Sequence, residues 1–138
     1  MFRNQRGMTL LEILIVLGIL GGLMVTVFGQ INKQLKKAKI RQAQMQFGQI
    51  KSALEQYNAD CGDYPPTEIG LNALMSSEGT NCQNWGPEPY IGKKDIKDPW
   101  NMDIIYENTG SNFVLKSLGS DKKEGTDDIT SGDQADEK

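Results

Sequence analysis

Residues 8–28 read MTLLEILIVLGILGGLMVTVF, 21 residues whose single charge is Glu12. As a helix such a run is about 31 Å long, against a bilayer hydrocarbon core of roughly 30 Å. Its apolar residues run all round the helix instead of forming one stripe, which suits lipid or a tightly packed fibre. Gly18, Gly21 and Gly22 remove side chains from its middle, so a second helix can approach closely there. A secretory signal peptide would need a small-x-small cleavage site after the run. Instead the chain passes into Gly29-Gln30-Ile31-Asn32-Lys33, which offers none. A plain signal anchor leaves Glu12 unexplained. A carboxylate just inside an apolar run is costly without a partner, which marks it as functional.

Charge divides the chain in the same way. Residues 1–51 carry eight Lys or Arg and one acid, a balance of +7. Residues 52–138 carry seven Lys or Arg and seventeen acids, a balance of −10. The whole is 138 residues with net charge −3, the size of one small domain. Asymmetry on this scale points to parts that live in different surroundings. No His is present, which excludes Ser-His-Asp and Cys-His nucleophile systems and His-ligated metals. Two Cys are too few for a four-Cys zinc site.

Past the apolar run, residues 30–58 contain no Pro, and Gly48 is their only Gly. Ala43, Phe47, Ile50, Leu54 and Tyr57 recur at spacings of four, three, four and three, an apolar stripe on a helix. The simplest reading is one long helix over residues 8–58, its first half in membrane and its second packed on a small domain. Gly29 sits at the junction and is expected to be a flexible or melted point. Lys33, Lys36, Lys37, Lys39 and Arg41 crowd the stem. They form either a solvated face or a contact with the acidic parts of neighbouring subunits. No aromatics interleave with them, so nucleic-acid binding has little support.

Beyond Asn58, Gly and Pro punctuate the chain often. Pro66-Thr67 predicts a short helix over residues 68–75 with Thr67 as N-cap. Residues 104–107 and 113–117 are β-prone runs around Asn108-Thr109-Gly110-Ser111, a predicted hairpin. Trp85, Trp100, Tyr106 and Phe113 are expected in the core. A globular region of this size buries only a modest core, so staples are expected.

Gln5-Arg6-Gly7-Met8-Thr9-Leu10-Leu11-Glu12 resembles the type IV prepilin signal. The resemblance implies a leader over residues 1–7, cleavage after Gly7, N-methylation of Met8 by prepilin peptidase, and Glu12 as the fifth mature residue. Met8 stands where that family usually has Phe, and Gly29 where many members have Pro. Tyr64-Pro65-Pro66-Thr67-Glu68-Ile69-Gly70-Leu71-Asn72-Ala73-Leu74 is similar to the YPxTxxGLxAL segment of the type II secretion major pseudopilins, and Asp98-Pro99-Trp100-Asn101 to their DPWG. Ser117-Leu118-Gly119-Ser120-Asp121 and Gly125-Thr126-Asp127-Asp128-Ile129-Thr130 resemble their acidic C-terminal loop. Only about residues 76–90 lack a clear counterpart.

That resemblance implies an α+β, type IV pilin-like fold. A long hydrophobic N-terminal helix packs on a small head with a short antiparallel sheet and a C-terminal calcium loop. Residues 1–7 are then leader, 8–29 membrane span and filament core, 30–58 amphipathic helix half, 59–132 periplasmic head and 133–138 flexible acidic tail. The implied role is structural, not enzymatic. The subunit waits in inner-membrane lipid, N-terminus cytoplasmic and head periplasmic, and then polymerises into a helical pseudopilus that drives export of folded proteins. Implied partners are further copies, minor pseudopilins, prepilin peptidase, the inner-membrane assembly platform and the secreted proteins. Arg3 and Arg6 against five stem cations would by the positive-inside rule put the head in the cytoplasm. The prepilin signal carries more independent positions and is preferred.

Several residues stand out as sites. A Met8 amine paired with a neighbour's Glu12 favours both charges in a filament core and sets register. Outside the cytoplasm, Cys61 and Cys82 read as a disulfide, with two buried thiols as the alternative. For Asp121, Asp127 and Asp128 the expectation is structural Ca²⁺, since hard oxygen ligands suit it. The family pattern adds the Leu118 carbonyl. The Asp121–Asp127 interval is one residue shorter than usual, and Gly132 stands where a Trp is usual. The alternative function is a type IV major pilin for motility, adhesion or DNA uptake. Such pilins usually carry a C-terminal disulfide loop, whereas Cys82 lies 56 residues before the end. A membrane-anchored calcium module or enzyme is a further class, but no carboxylate pair sits with an obvious base, nucleophile or phosphate loop.

Overall fold

Helix α1 runs from Leu10 to Cys61, 52 residues without a break. A computed structural model describes residues 9–131 of the chain. Gly29 does not interrupt α1, contrary to the expected melted point. Gly costs helix propensity, but unlike Pro it keeps its N–H and so preserves the hydrogen-bond ladder. α1 ends three residues beyond the expected Asn58, where Gly62 enters the left-handed region at φ 89° and its N–H bonds the Asn58 carbonyl at 2.8 Å. That is a glycine stop at the helix C-terminus.

The chain divides into two compact units between Ala38 and Lys39. In the first, the apolar residues of α1 are exposed throughout, from Leu10 to Phe28 and on to Ile31 and Leu35. In the second, Ala43, Phe47, Ile50, Ala53, Leu54 and Tyr57 are buried, including every residue of the stripe read from the sequence. They form one core with Leu71, Ala73, Leu74, Ile91, Ile104, Tyr106, Phe113, Leu115 and Ile129.

A 3-10 helix, Gly70–Leu74, follows α1. It is shorter than the predicted helix and has no side-chain cap. Thr67 serves elsewhere: its Oγ1 accepts the Asn108 N–H at 3.0 Å. Strands β1 (Ile105–Asn108), β2 (Phe113–Ser117) and β3 (Ile129–Thr130) form an antiparallel sheet with β2 in the centre. The predicted hairpin is present, its first strand shifted by one residue, with Asn108 opposite Phe113. Phe113, Leu115 and Ser117 point to the core, while Val114 and Lys116 point away, the period-two alternation of a half-buried strand.

Tyr106 and Phe113 are buried, while Trp85 and Trp100 pack against the core from its rim. The Trp85 indole donates to the Ala73 carbonyl at 2.7 Å. The Tyr106 hydroxyl donates to the Pro65 carbonyl at 2.8 Å, and burial pushes its pKa up to about 12. Residues 76–90 are tied down by Tyr90. Its hydroxyl donates to Asp60 at 2.8 Å and accepts from the Gly86 N–H at 3.1 Å.

Cys61 and Cys82 form a disulfide with Cα atoms 5.0 Å apart. It joins the last residue of α1 to that same tied segment. A loop of this length restricts the unfolded chain by about 3 kcal/mol in the loop-entropy model. Reduction is expected to lower the thermal midpoint of the head by roughly 10 °C or more. Calorimetry with and without dithiothreitol checks this, and an unchanged midpoint would count against it.

Candidate functional site

The first region is the start of α1. Thr9 stands immediately before the helix, and its Oγ1 and carbonyl accept the Glu12 N–H at 3.3 and 3.0 Å. Thr9 is thus the N-cap, and Glu12 is the acid of the first turn. Sequence reasoning missed Thr9, although Thr-x-x-Glu before an apolar run is a recognisable helix start. The 18-residue window of highest hydropathy in α1 averages 2.5 and has none of its residues buried. Leu10 is 78% exposed and Val25 74%. A continuous apolar surface of this kind needs lipid or other protein to cover it. Gly7 and Met8, the expected cleavage and methylation positions, lie outside the described residues, as does the tail over residues 133–138.

The second region joins the Asp98 turn to the C-terminal loop. Asp98 is 4% exposed. Its Oδ1 accepts the N–H groups of Trp100 and Met102 at 3.0 and 2.8 Å, and its Oδ2 accepts the Ser117 hydroxyl at 2.7 Å. Ser117, fully buried at the end of β2, in turn accepts the Gly119 N–H at 3.3 Å. Asn101 closes the turn at φ 66°, a left-handed conformation that Asn tolerates and Gly adopts freely. At Gly119, also left-handed at φ 69°, any side chain would collide with the Asp127 carbonyl. That contact holds the start of the loop against its end.

Within the loop the acids have protein partners. Asp121 Oδ1 accepts the Lys123 N–H at 3.1 Å, and Asp127 Oδ2 accepts the Ser120 hydroxyl at 2.9 Å. Asp128 Oδ2 accepts the Gly125 N–H at 3.1 Å and lies 3.0 Å from Lys116 Nζ. The same ammonium is 2.7 Å from Glu124. Its pKa is raised by Glu124 first and Asp128 second, and the Asp128 carboxyl is held low chiefly by Lys116. Lys116 and Glu124 do not stand out in the sequence.

As arranged, these residues do not fit a divalent cation. Ca²⁺ takes six to eight oxygens at about 2.3–2.6 Å. Among the described residues no group of three acidic, His or Cys side chains converges in a metal-holding arrangement. Asp127 and Asp128 are neighbours, but Asp128 faces an ammonium. One feature points the other way: Asp128 Oδ1 is buried without a hydrogen-bond partner.

Comparison with known proteins adds to this geometry. A model of the prokaryotic N-terminal methylation motif matches residues 2–28, and one of the type II secretion system protein G matches residues 30–133. A methylation motif on an exposed apolar helix, followed by a small α+β head, defines a pilin-like subunit. The chain belongs to the type II secretion system protein G family. It is similar to core protein G of Pseudomonas aeruginosa PAO1, 38% identical over 130 residues and 91% of each chain. It is 36% identical to that of Escherichia coli K12 over 132 residues, 92% of this chain and 90% of the relative. The crystal structure of the major pseudopilin from the type 2 secretion system of enterohaemorrhagic Escherichia coli superposes with a TM-score of 0.61 at 32% identity, covering 73% of this chain and 90% of that one.

Proposed function

We propose that this chain is the major pseudopilin of a type II secretion system, polymerising into the helical pseudopilus that drives folded proteins across the outer membrane. The observation that carries the reading is the exposed apolar surface of α1 from Leu10 to Phe28, whose one charge is Glu12. Before assembly, inner-membrane lipid covers that surface, with the N-terminus cytoplasmic and the head periplasmic. In the filament, the helices of neighbouring copies cover it. Repeated head-to-tail contacts of this kind generate open helical assemblies.

Prepilin peptidase cuts after Gly7 and methylates Met8. The new α-amine is cationic and Glu12 anionic. Paired between neighbouring copies in a low-dielectric core, they set the register of each added subunit. The assembly platform, minor pseudopilins and exported proteins are the remaining partners, and the role is structural. The intact mass of the chain purified from its host tests this reading. The expected mass is that of residues 8–138 with one added methyl group and one disulfide. A mature chain retaining residues 1–7 would overturn it.

A further inference from the structure

We infer that the Lys116 ammonium is the resident cation of the C-terminal loop, so the loop holds its fold without a divalent ion. Lys116 sits on the central strand, opposite Ile105 of β1 and Thr130 of β3, on the face turned away from the core. That row gives its aliphatic stem a surface to lie along while the charged head reaches outward. The head meets Glu124 Oε1 at 2.7 Å and Asp128 Oδ2 at 3.0 Å. Asp128 also takes the Gly125 N–H, so the two contacts tie residues 124–128 to the middle of the sheet. The Asp128 side chain is only 10% accessible.

A divalent ion on Asp128 would stand beside this ammonium, and like charges at such range repel strongly. The ion would have to displace Lys116 first. Asp128 Oδ1 is buried and already unpartnered. Without the ammonium, both oxygens of Asp128 would lack a cation, next to Asp127. Removing Lys116 should therefore turn a metal-independent loop into a metal-dependent one.

The test is thermal unfolding of the full chain in detergent, in EGTA and in millimolar CaCl₂, for the wild type, Lys116→Met and Lys116→Arg. The wild type is expected to unfold at one temperature in both buffers. Lys116→Met is expected to lose about 2–5 °C in EGTA, the scale of an ion-pair network on a small domain, and to recover it in CaCl₂. Lys116→Arg, which keeps the charge, should match the wild type. Three results would overturn the inference: a wild type stabilised by CaCl₂, a Lys116→Met variant equal to wild type in EGTA, or a Lys116→Met loss that CaCl₂ does not repair. If Lys116→Met does not fold, equilibrium dialysis of the wild type with radioactive calcium decides. No bound ion at millimolar calcium supports the inference, and one ion per chain restores the sequence expectation of a Ca²⁺ site at Asp121, Asp127, Asp128 and Leu118.

Discussion

Glu12→Gln is expected to leave the chain in the membrane and to remove it from the filament. Membrane residence depends on the apolar run, and neutralising its one acid removes a charge that would cost about 2.5–3.5 kcal/mol at the centre of a span. Insertion is therefore not weakened. Assembly is different if the Met8 amine of each copy pairs with Glu12 of a neighbour. Breaking a buried pair by removing one partner costs about 3–5 kcal/mol, because the other charge stays buried alone. Each contact then weakens by roughly a hundred- to several thousand-fold, and repeated contacts multiply the loss. A helix-start role for Glu12 cannot give an effect of this size, since an acid in the first turn contributes only about 0.3–1 kcal/mol. Immunoblots of the membrane fraction and of sheared filaments separate the two steps. Normal filaments from the Gln variant would refute the pairing.

Asp98→Ala is expected to destabilise the head by about 4–5 kcal/mol, as much as truncating a large apolar core side chain. One carboxylate receives two backbone N–H groups and the Ser117 hydroxyl in a nearly dry site. Hydrogen bonds to a charged group contribute about 1.5–3 kcal/mol each, and donors left buried without an acceptor add a desolvation cost. Each kcal/mol moves the midpoint of a domain this small by about 4–8 °C, so a loss above roughly 15 °C is expected. Asp98→Asn keeps one oxygen and the volume and should lose much less. Ser117→Ala leaves both backbone donors on Asp98, removes the third bond and the longer one from the Gly119 N–H, and should cost about 1–2 kcal/mol. Thermal denaturation of the three variants gives the order directly. An Ala variant as stable as Ser117→Ala would show that the backbone donors do not depend on Asp98.

These two residues differ in how they appear in the sequence. Glu12 is legible there because it is a lone charge in an apolar run, and its chemistry depends on its neighbours along the chain. The buried stripe from Ala43 to Tyr57 is legible for the same reason, since helical periodicity is local. Asp98 appears only as part of a familiar turn. Its decisive partner, Ser117, lies 19 residues away on the central strand, and no local pattern announces that meeting. Thr67 reads as a helix cap because the next residues suit a helix. Its actual partner, the Asn108 N–H, is 41 residues on. Lys116 obeys the same rule. Its ion pairs depend on where a short loop folds back, which the order of charges along the chain does not announce.

The outer side of β1 has a consequence for a protein meant to be crowded with its own copies. An unpaired strand edge invites pairing with any neighbouring chain, and so invites disordered aggregation. Here the edge is already occupied at both ends. The Ile104 N–H bonds the Ile96 carbonyl at 3.0 Å, Lys97 bridges Asp103, and Asn108 is held by Thr67, Tyr64 and Pro65. On the far side, β3 is only two residues long. The head therefore offers little backbone for sheet extension, and copies brought side by side are steered to associate through helix surfaces and side chains instead.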